Sequence, residues 1–164
     1  MTCEAKDVAG LQTYSNVIDF NKAISKCAKG KDWQVALQLF NELEFKSLQA
    51  TVVTYNSAIH ACAQAATWES AIWLLRDLED EAVGLQVNVI SYSTTISSCE
   101  KSGQWQVALF LLKTLKQKKL QLNVIACNAV MSACAKGEEW QHSLWLLGTL
   151  QDETLQPTLV TYNA

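Results

Sequence analysis

The sequence predicts an all-α protein, a right-handed α-solenoid of tandem helix-turn-helix hairpins. Three observations predict it: a tryptophan that recurs, a cysteine that keeps step with it, and a shortage of helix-breaking residues. Trp33, Trp68, Trp105 and Trp140 stand 35, 37 and 35 residues apart. Cys27, Cys62, Cys99 and Cys134 each precede one of them by six residues, while Ala36, Ala71, Ala108 and Ser143 each follow by three. One proline and six glycines in 164 residues leave little to interrupt helix, and 49% hydrophobic content is enough for a sizeable core. A fixed period of this length marks stacked supersecondary units, none of which buries its apolar faces alone.

Each unit opens on a β-branched and polar phrase: Val17-Ile18-Asp19-Phe20-Asn21, Val52-Val53-Thr54-Tyr55-Asn56, Val89-Ile90-Ser91-Tyr92-Ser93, Val124-Ile125-Ala126-Cys127-Asn128 and Leu159-Val160-Thr161-Tyr162-Asn163. Four full units are therefore expected at 17–51, 52–88, 89–123 and 124–158. Residues 159–164 read as the start of a fifth unit, truncated at Ala164, and 1–16 as a leader or the remnant of a preceding repeat. A stop inside a helix suggests a piece of a longer protein, because solenoids end on polar capping elements.

Positions are counted from each opening valine. In the first helix Asp19, Thr54 and Ser91 read as N-cap residues, and Gly30, Gly103 and Gly137 end the pattern. Positions 4, 7, 8 and 11 share one arc at about 100° per residue. They are apolar or small throughout: Phe20, Ala23, Ile24, Cys27; Tyr55, Ala58, Ile59, Cys62; Tyr92, Thr95, Ile96, Cys99; Cys127, Val130, Met131, Cys134. This arc is the expected core face. The second helix has Asp32 or Thr67 as its cap, a tryptophan at its start, and a small Ala or Ser at position 20 for close helix approach. Trp73 and Trp145 are also expected in the core. Two extra residues between Leu78 and Leu85 in the second unit are expected to bulge outward.

Positions 2, 5, 9 and 13 fall roughly opposite the core arc. They read Ile18, Asn21, Ser25, Lys29; Val53, Asn56, His60, Gln64; Ile90, Ser93, Ser97, Lys101; Ile125, Asn128, Ser132, Lys136. None is acidic, on a chain of net charge −3 whose acids gather elsewhere, as at Asp77, Glu79, Asp80 and Glu81. A cation for phosphate, an amide or hydroxyl for a base edge, and an apolar wedge for a base face make up the chemistry of single-stranded RNA recognition. The plain alternative is a solvated helix face, which is also rich in Ser, Asn and Lys. Recurrence at one place in every unit favours the first reading.

Other classes of function find no support in the residues. No apolar run reaches the roughly 20 residues of a membrane span, and the amino terminus carries no readable targeting segment. Four of six cysteines recur at one core position and no close cysteine pair exists, so disulfides and metal are not expected. The two histidines fall in different halves of the hairpin. No phosphate loop, nucleophile elbow or deaminase metal motif is present, so no catalytic residue, no metal ligand and no cofactor is expected and the chain does not read as an enzyme.

The phrase Val52-Val53-Thr54-Tyr55-Asn56, the following Cys62-Ala63-Gln64, Ala71 and Leu75, and the period of about 35 residues resemble the pentatricopeptide repeat family across residues 17–164. The rival, a tetratricopeptide-like scaffold binding peptides, wants a Leu-Gly pair and a Tyr that these units lack in register. The resemblance implies single-stranded RNA as partner, protein partners in an RNA-processing complex, no membrane, and a place in RNA processing, stability or translation in a mitochondrion or chloroplast. It also implies residue roles. Position 5 and the last residue of the repeat would select a base: Asn21 with Thr51, Asn56 with Asn88, Ser93 with Asn123, and Asn128 with Thr158. Asn with Asn implies a pyrimidine and Ser with Asn implies adenine, while the two Thr endings depart from the family's usual Asp or Asn. Position 2, namely Ile18, Val53, Ile90 and Ile125, would pack between bases. Lys29, Lys101 and Lys136 would contact the RNA backbone, with Gln64 breaking that row.

Overall fold

The computed structural model describes residues 14–152 and 155–163. Most of the expected leader, residues 1–13, and the terminal Ala164 lie outside the described residues. Among those described there are nine α-helices and no strand. They alternate as α1 (Val17–Gly30) and α2 (Trp33–Phe45), α3 (Val52–Gln64) and α4 (Trp68–Glu79), α5 (Val89–Lys101) and α6 (Trp105–Gln117), α7 (Val124–Lys136) and α8 (Trp140–Asp152), followed by α9 (Leu159–Asn163).

The chain divides into two compact units, one ending at Val87 and one beginning at Asn88. In the first, α1 packs on both α2 and α3, α2 on α3, and α3 on α4. In the second, α5 packs on α6 and α7, α6 on α7, and α7 on α8 and α9. Each unit therefore sets the first helices of successive hairpins side by side and covers them with the second helices.

The core follows the expected arc. Positions 4, 8 and 11 are buried in every hairpin, and position 7 is buried in all but the first, where Ala23 is half-buried. Burying a side chain of the size of Ile24, Ile59, Ile96 or Met131 contributes about 1.5–3 kcal/mol each. Position 20 works as a close-approach site, since Ala36, Ala71 and Ala108 have no exposed surface and the Ser143 hydroxyl donates to the Met131 carbonyl at 3.4 Å. Phe40 meets Tyr55 edge-on, with ring centroids 4.9 Å apart.

The helix caps lie three residues earlier than expected. Asn16, Thr51, Asn88 and Asn123 are the N-cap residues of α1, α3, α5 and α7, each with extended backbone and a side-chain oxygen accepting from the backbone N–H of Asp19, Thr54, Ser91 or Ala126. Asp19, Thr54 and Ser91 are thus third helical residues. A cap has to stand outside the helix so that its side chain can fold back onto that N–H. Asp32 and Thr67 do occupy the cap positions of α2 and α4 but their side chains do not cap; the Thr67 hydroxyl donates to the Cys62 carbonyl instead, at 3.2 Å.

The tight turn inside each hairpin passes through the left-handed region at position 15, held by Lys31, Ala66, Gly103 and Glu138 with φ of 61°, 59°, 70° and 60°. Only Gly103 suits that backbone without cost. Gly137 serves another need, because a Cβ there would lie 2.4 Å from Cδ1 of Trp105. Trp105 also lies against His142, with ring centroids 5.6 Å apart, so this tryptophan is filled in by the next hairpin.

Trp140 does not share that environment. It is 62% exposed, and Trp73 and Trp145 are exposed as well. The latter two follow the position-20 residue by two places, which turns them about 200° round the helix from the buried face. The two extra residues of the second unit are taken up by a 3-10 turn, Glu81–Val83, whose Asp80 cap accepts from the Ala82 N–H at 2.9 Å, and by Gly84 at φ 67°. Cys27, Cys62, Cys99, Cys127 and Cys134 are buried thiols outside any disulfide, and burial pushes those of Cys62 and Cys134 up to about 11. Among the described residues no helix is long and apolar enough to cross a membrane.

Candidate nucleic-acid interface

Position 2 is the second residue of each first helix and points away from the core. Ile18, Val53, Ile90 and Ile125 are 65%, 61%, 58% and 67% exposed. A single exposed isoleucine is ordinary, whereas the same β-branched side chain left in water at one place in four hairpins is a pattern that burial does not explain.

In the first unit this surface forms an open cleft of about 510 Å³ lined by Ile18, Asn21, Lys22, Ser25, Lys26, Lys29 and Val53. Ile18 and Val53 come from successive hairpins and Asn21 lies in the same cleft. The Asn21 Oδ1 is buried and has no hydrogen-bond partner, a costly state for an amide oxygen. Ser25 is tied to Ser57, Oγ to Oγ at 3.2 Å. The lining holds three lysines and no acid. Lys22 and Lys26 were not singled out in the sequence, yet with Lys29 they follow the spacing that places residues on one helical stripe. Farther along, Asn56 is half-buried, and Gln64 Nε2 lies 2.9 Å from the ring Nε2 of His60. The Lys-to-Gln change thus supplies a partner for a neighbouring histidine.

In the second unit Ser93 and Asn123 are brought together, with the Ser93 hydroxyl 3.2 Å from Asn123 Oδ1 and 2.7 Å from the Val89 carbonyl. Asn128 repeats the state of Asn21, its Oδ1 buried and without a partner. Lys101 and Lys136 are exposed. The surface is not free of acid, however. Glu100, at position 12, accepts from the Ser132 hydroxyl at 2.9 Å and from Lys136 Nζ at 3.1 Å, and its carbonyl accepts from the same ammonium at 3.2 Å. With half of the Lys136 side chain in solvent, that pair contributes at most about 1 kcal/mol of stability, but it fixes where the charge stands.

The last residue of each of the first three repeats caps the helix that follows. Asn88 Oδ1 accepts from the Ile90 and Ser91 N–H groups and from the Ser91 hydroxyl, while Asn123 Oδ1 accepts from the Ala126 N–H at 2.8 Å. Thr51 uses reciprocal bonds with Thr54, and Thr158 donates its N–H to Thr161 Oγ1 with the hydroxyls 3.3 Å apart. The resemblance implied a base-selecting role for these four end residues, but neither it nor the spacing showed the cap role of Thr51, Asn88 and Asn123. The exposed apolar side chain, the amide and the ammonium together offer a stacking edge, hydrogen-bonding groups and a counter-charge. Among the described residues no cluster of three His, Cys, Asp or Glu could hold a metal.

Family models match most of the chain. A PPR repeat family model covers residues 15–64, a pentatricopeptide repeat domain model covers 74–137 and 110–164, and a PPR repeat model covers 53–83. No curated protein matches the sequence. Among solved structures, the pentatricopeptide repeat protein PPR10 in complex with an 18-nt psaJ RNA element matches at TM-score 0.81 and 20% identity over 96% of this chain. PPR10 from maize matches at TM-score 0.80 and 21% identity over 98%. The PPR domain of Arabidopsis thaliana protein-only RNase P 1 in complex with tRNA matches at TM-score 0.75 and 12% identity over 88% of this chain and 76% of that one. The chain spans only 23% and 22% of the two PPR10 chains. At these identities the likeness establishes the fold, an α-solenoid of tandem hairpins.

Proposed function

This chain belongs to the pentatricopeptide repeat family, and from that premise we propose that it binds single-stranded RNA, one base to each repeat. The observation that carries the reading is the recurrence, hairpin by hairpin, of an exposed β-branched residue beside a polar position-5 side chain, with the Oδ1 atoms of Asn21 and Asn128 left without a partner. Ile18, Val53, Ile90 and Ile125 pack between bases. Asn21, Asn56, Ser93 and Asn128 read base edges, with Thr51, Asn88, Asn123 and Thr158 as the end residues of their repeats. Lys29, Lys101 and Lys136 face the phosphates, joined in the first unit by Lys22 and Lys26.

Two of the solved relatives are complexes with RNA, an 18-nt element for PPR10 and tRNA for the RNase P 1 domain. They support an RNA partner. From family membership we infer the finer role: a task in RNA processing, stability or translation within a mitochondrion or chloroplast, alongside protein partners.

The test is retention of a randomised single-stranded RNA pool by the full chain, followed by sequencing of what is retained. Binding is expected to weaken as salt rises and to weaken further in Lys29→Glu/Lys101→Glu/Lys136→Glu. Binding unaffected by that triple reversal would show the face to be wrong. Retention of peptides without RNA would establish a protein-interaction scaffold instead.

A further inference from the structure

The repeats differ in how their end residue is held, and the difference follows the residue type three places on. Asn123 caps α7 with its Oδ1, and its Nδ2 has no protein partner among the described residues. Asn88 caps α5 in the same way, again through Oδ1. An amide splits the work, because one end holds the helix while the other keeps two N–H donors for a ligand. Threonine has a single oxygen. Thr51 Oγ1 accepts from the Thr54 N–H at 3.3 Å and lies 3.0 Å from Thr54 Oγ1, which in turn accepts from the Thr51 N–H at 3.0 Å. Thr158 and Thr161 share half of this, with the Thr158 N–H on Thr161 Oγ1 at 2.9 Å and the hydroxyls 3.3 Å apart, while the Thr161 N–H donates to the Thr158 carbonyl. Thr54 and Thr161 are themselves fully buried, so they reach a base only through the exposed Thr51 and Thr158.

We propose that Thr54 and Thr161 are positioning residues for base selection: each holds the N–H and the hydroxyl of the threonine three places before it, so that the repeats ending at Thr51 and Thr158 choose a base through Asn21 and Asn128 alone. The inference rests on the RNA-binding reading and deepens it. The Asn16 cap shows the same principle with another residue, since Asp19 accepts from the Asn16 Nδ2 at 3.0 Å while Asn16 Oδ1 holds the Asp19 N–H. The third helical residue thus decides how much of the cap side chain is left over.

The experiment selects from a short randomised single-stranded RNA pool with the full chain, unaltered and as Thr54→Ala, Thr54→Ser, Thr161→Ala and Ser93→Asn, and records a melting temperature for each. Alanine is a tolerated third residue, as Ala126 of α7 shows. Thr54→Ala removes the partner hydroxyl and frees that of Thr51, so base preference is expected to change at one nucleotide by about threefold to tenfold, the worth of one hydrogen bond. Thr54→Ser keeps the hydroxyl and is expected to select as the unaltered chain does. Thr161→Ala repeats the first result at a different nucleotide. A lowered melting temperature with an unchanged selection profile in both alanine variants would overturn the inference and leave a purely structural cap. Ser93→Asn separates the two levels. If it shifts one nucleotide while neither alanine variant does, the inference fails and the RNA reading stands; if the unaltered chain retains no RNA, both fail.

Discussion

The first unit leaves its candidate surface open and the second holds its own in place. Around Asn21, three lysines and two exposed apolar residues line a cleft without an acid. On the second unit, Glu100 ties Lys136 and Ser132 together, and the neighbouring Trp105 fits against Gly137 and His142. The residues at position 12 account for the electrostatic part: Ala28, Ala63 and Ala135 in three repeats, Glu100 in the other. Where the acid stands, a lysine meets it from the next hairpin. In the first unit the corresponding places are Ala28 and Gln64, and Gln64 turns to His60. Lysines at equivalent sequence positions are therefore not equivalent charges, because the neighbour that packing supplies decides how freely each can meet a phosphate.

Packing gives the largest expected effect. Gly137→Ala drives a Cβ into the Trp105 ring, so the second unit is expected to lose about 1–3 kcal/mol in urea unfolding. Gly148→Ala meets nothing within 4 Å and is expected to gain about 0.5–1 kcal/mol. Equal midpoints for the two variants would break the picture of a closely fitted second unit. Next in size are the charges. Replacing Lys22, Lys26 and Lys29 by Gln is expected to flatten the salt dependence of RNA binding by about 0.7 for each phosphate no longer neutralised. Lys136→Gln is expected to flatten it less, because that ammonium already has a carboxylate. Glu100→Gln sharpens the contrast from the other side: it releases Lys136 and is expected to tighten RNA binding about twofold to fivefold, while Ala28→Glu in the first unit loosens it. Unchanged affinity in both would show that the clamp does not matter.

The smallest effect is one of pH and belongs to the first unit. Burial, and then the nearby Asp77, raise the Glu44 carboxyl from its ordinary 4.5. The folded state thus favours the protonated form. Its contribution is fully present below the ordinary value and lost as pH rises through the raised one. Glu44→Gln is expected to raise the melting temperature slightly near neutral pH and to leave it unchanged in acid; a gain of the same size at both ends would remove Glu44 as the cause.

The core was legible in the sequence because a helical period fixes angle. Once Trp33 to Trp140 set the register, positions 4, 8 and 11 had to share a face, and they do. The exposure of Ile18, Val53, Ile90 and Ile125 followed from the same geometry. What stayed hidden depended on choices among similar residues or on contacts between distant ones. Asn16 and Asp19, or Thr51 and Thr54, are equally good cap types, and only the backbone shows which of each pair stands outside the helix. Trp73 and Trp145 carry no sign of burial in their identity, since a large aromatic residue fits either face. Glu100 and Lys136 meet across two hairpins, 36 residues apart, and no local spacing announces that bond. Lys22 and Lys26 could have been found, because they repeat the Lys29 stripe.

The central claim is that the position-5 side chains read bases, and Ser93 tests it most directly, because the structure already joins it to Asn123. Selection from a randomised single-stranded RNA pool is to be compared for the full chain and for Ser93→Asn. The account predicts that one nucleotide changes from adenine to a pyrimidine while the preferences at other nucleotides remain. Retained affinity with no change at any nucleotide would contradict it.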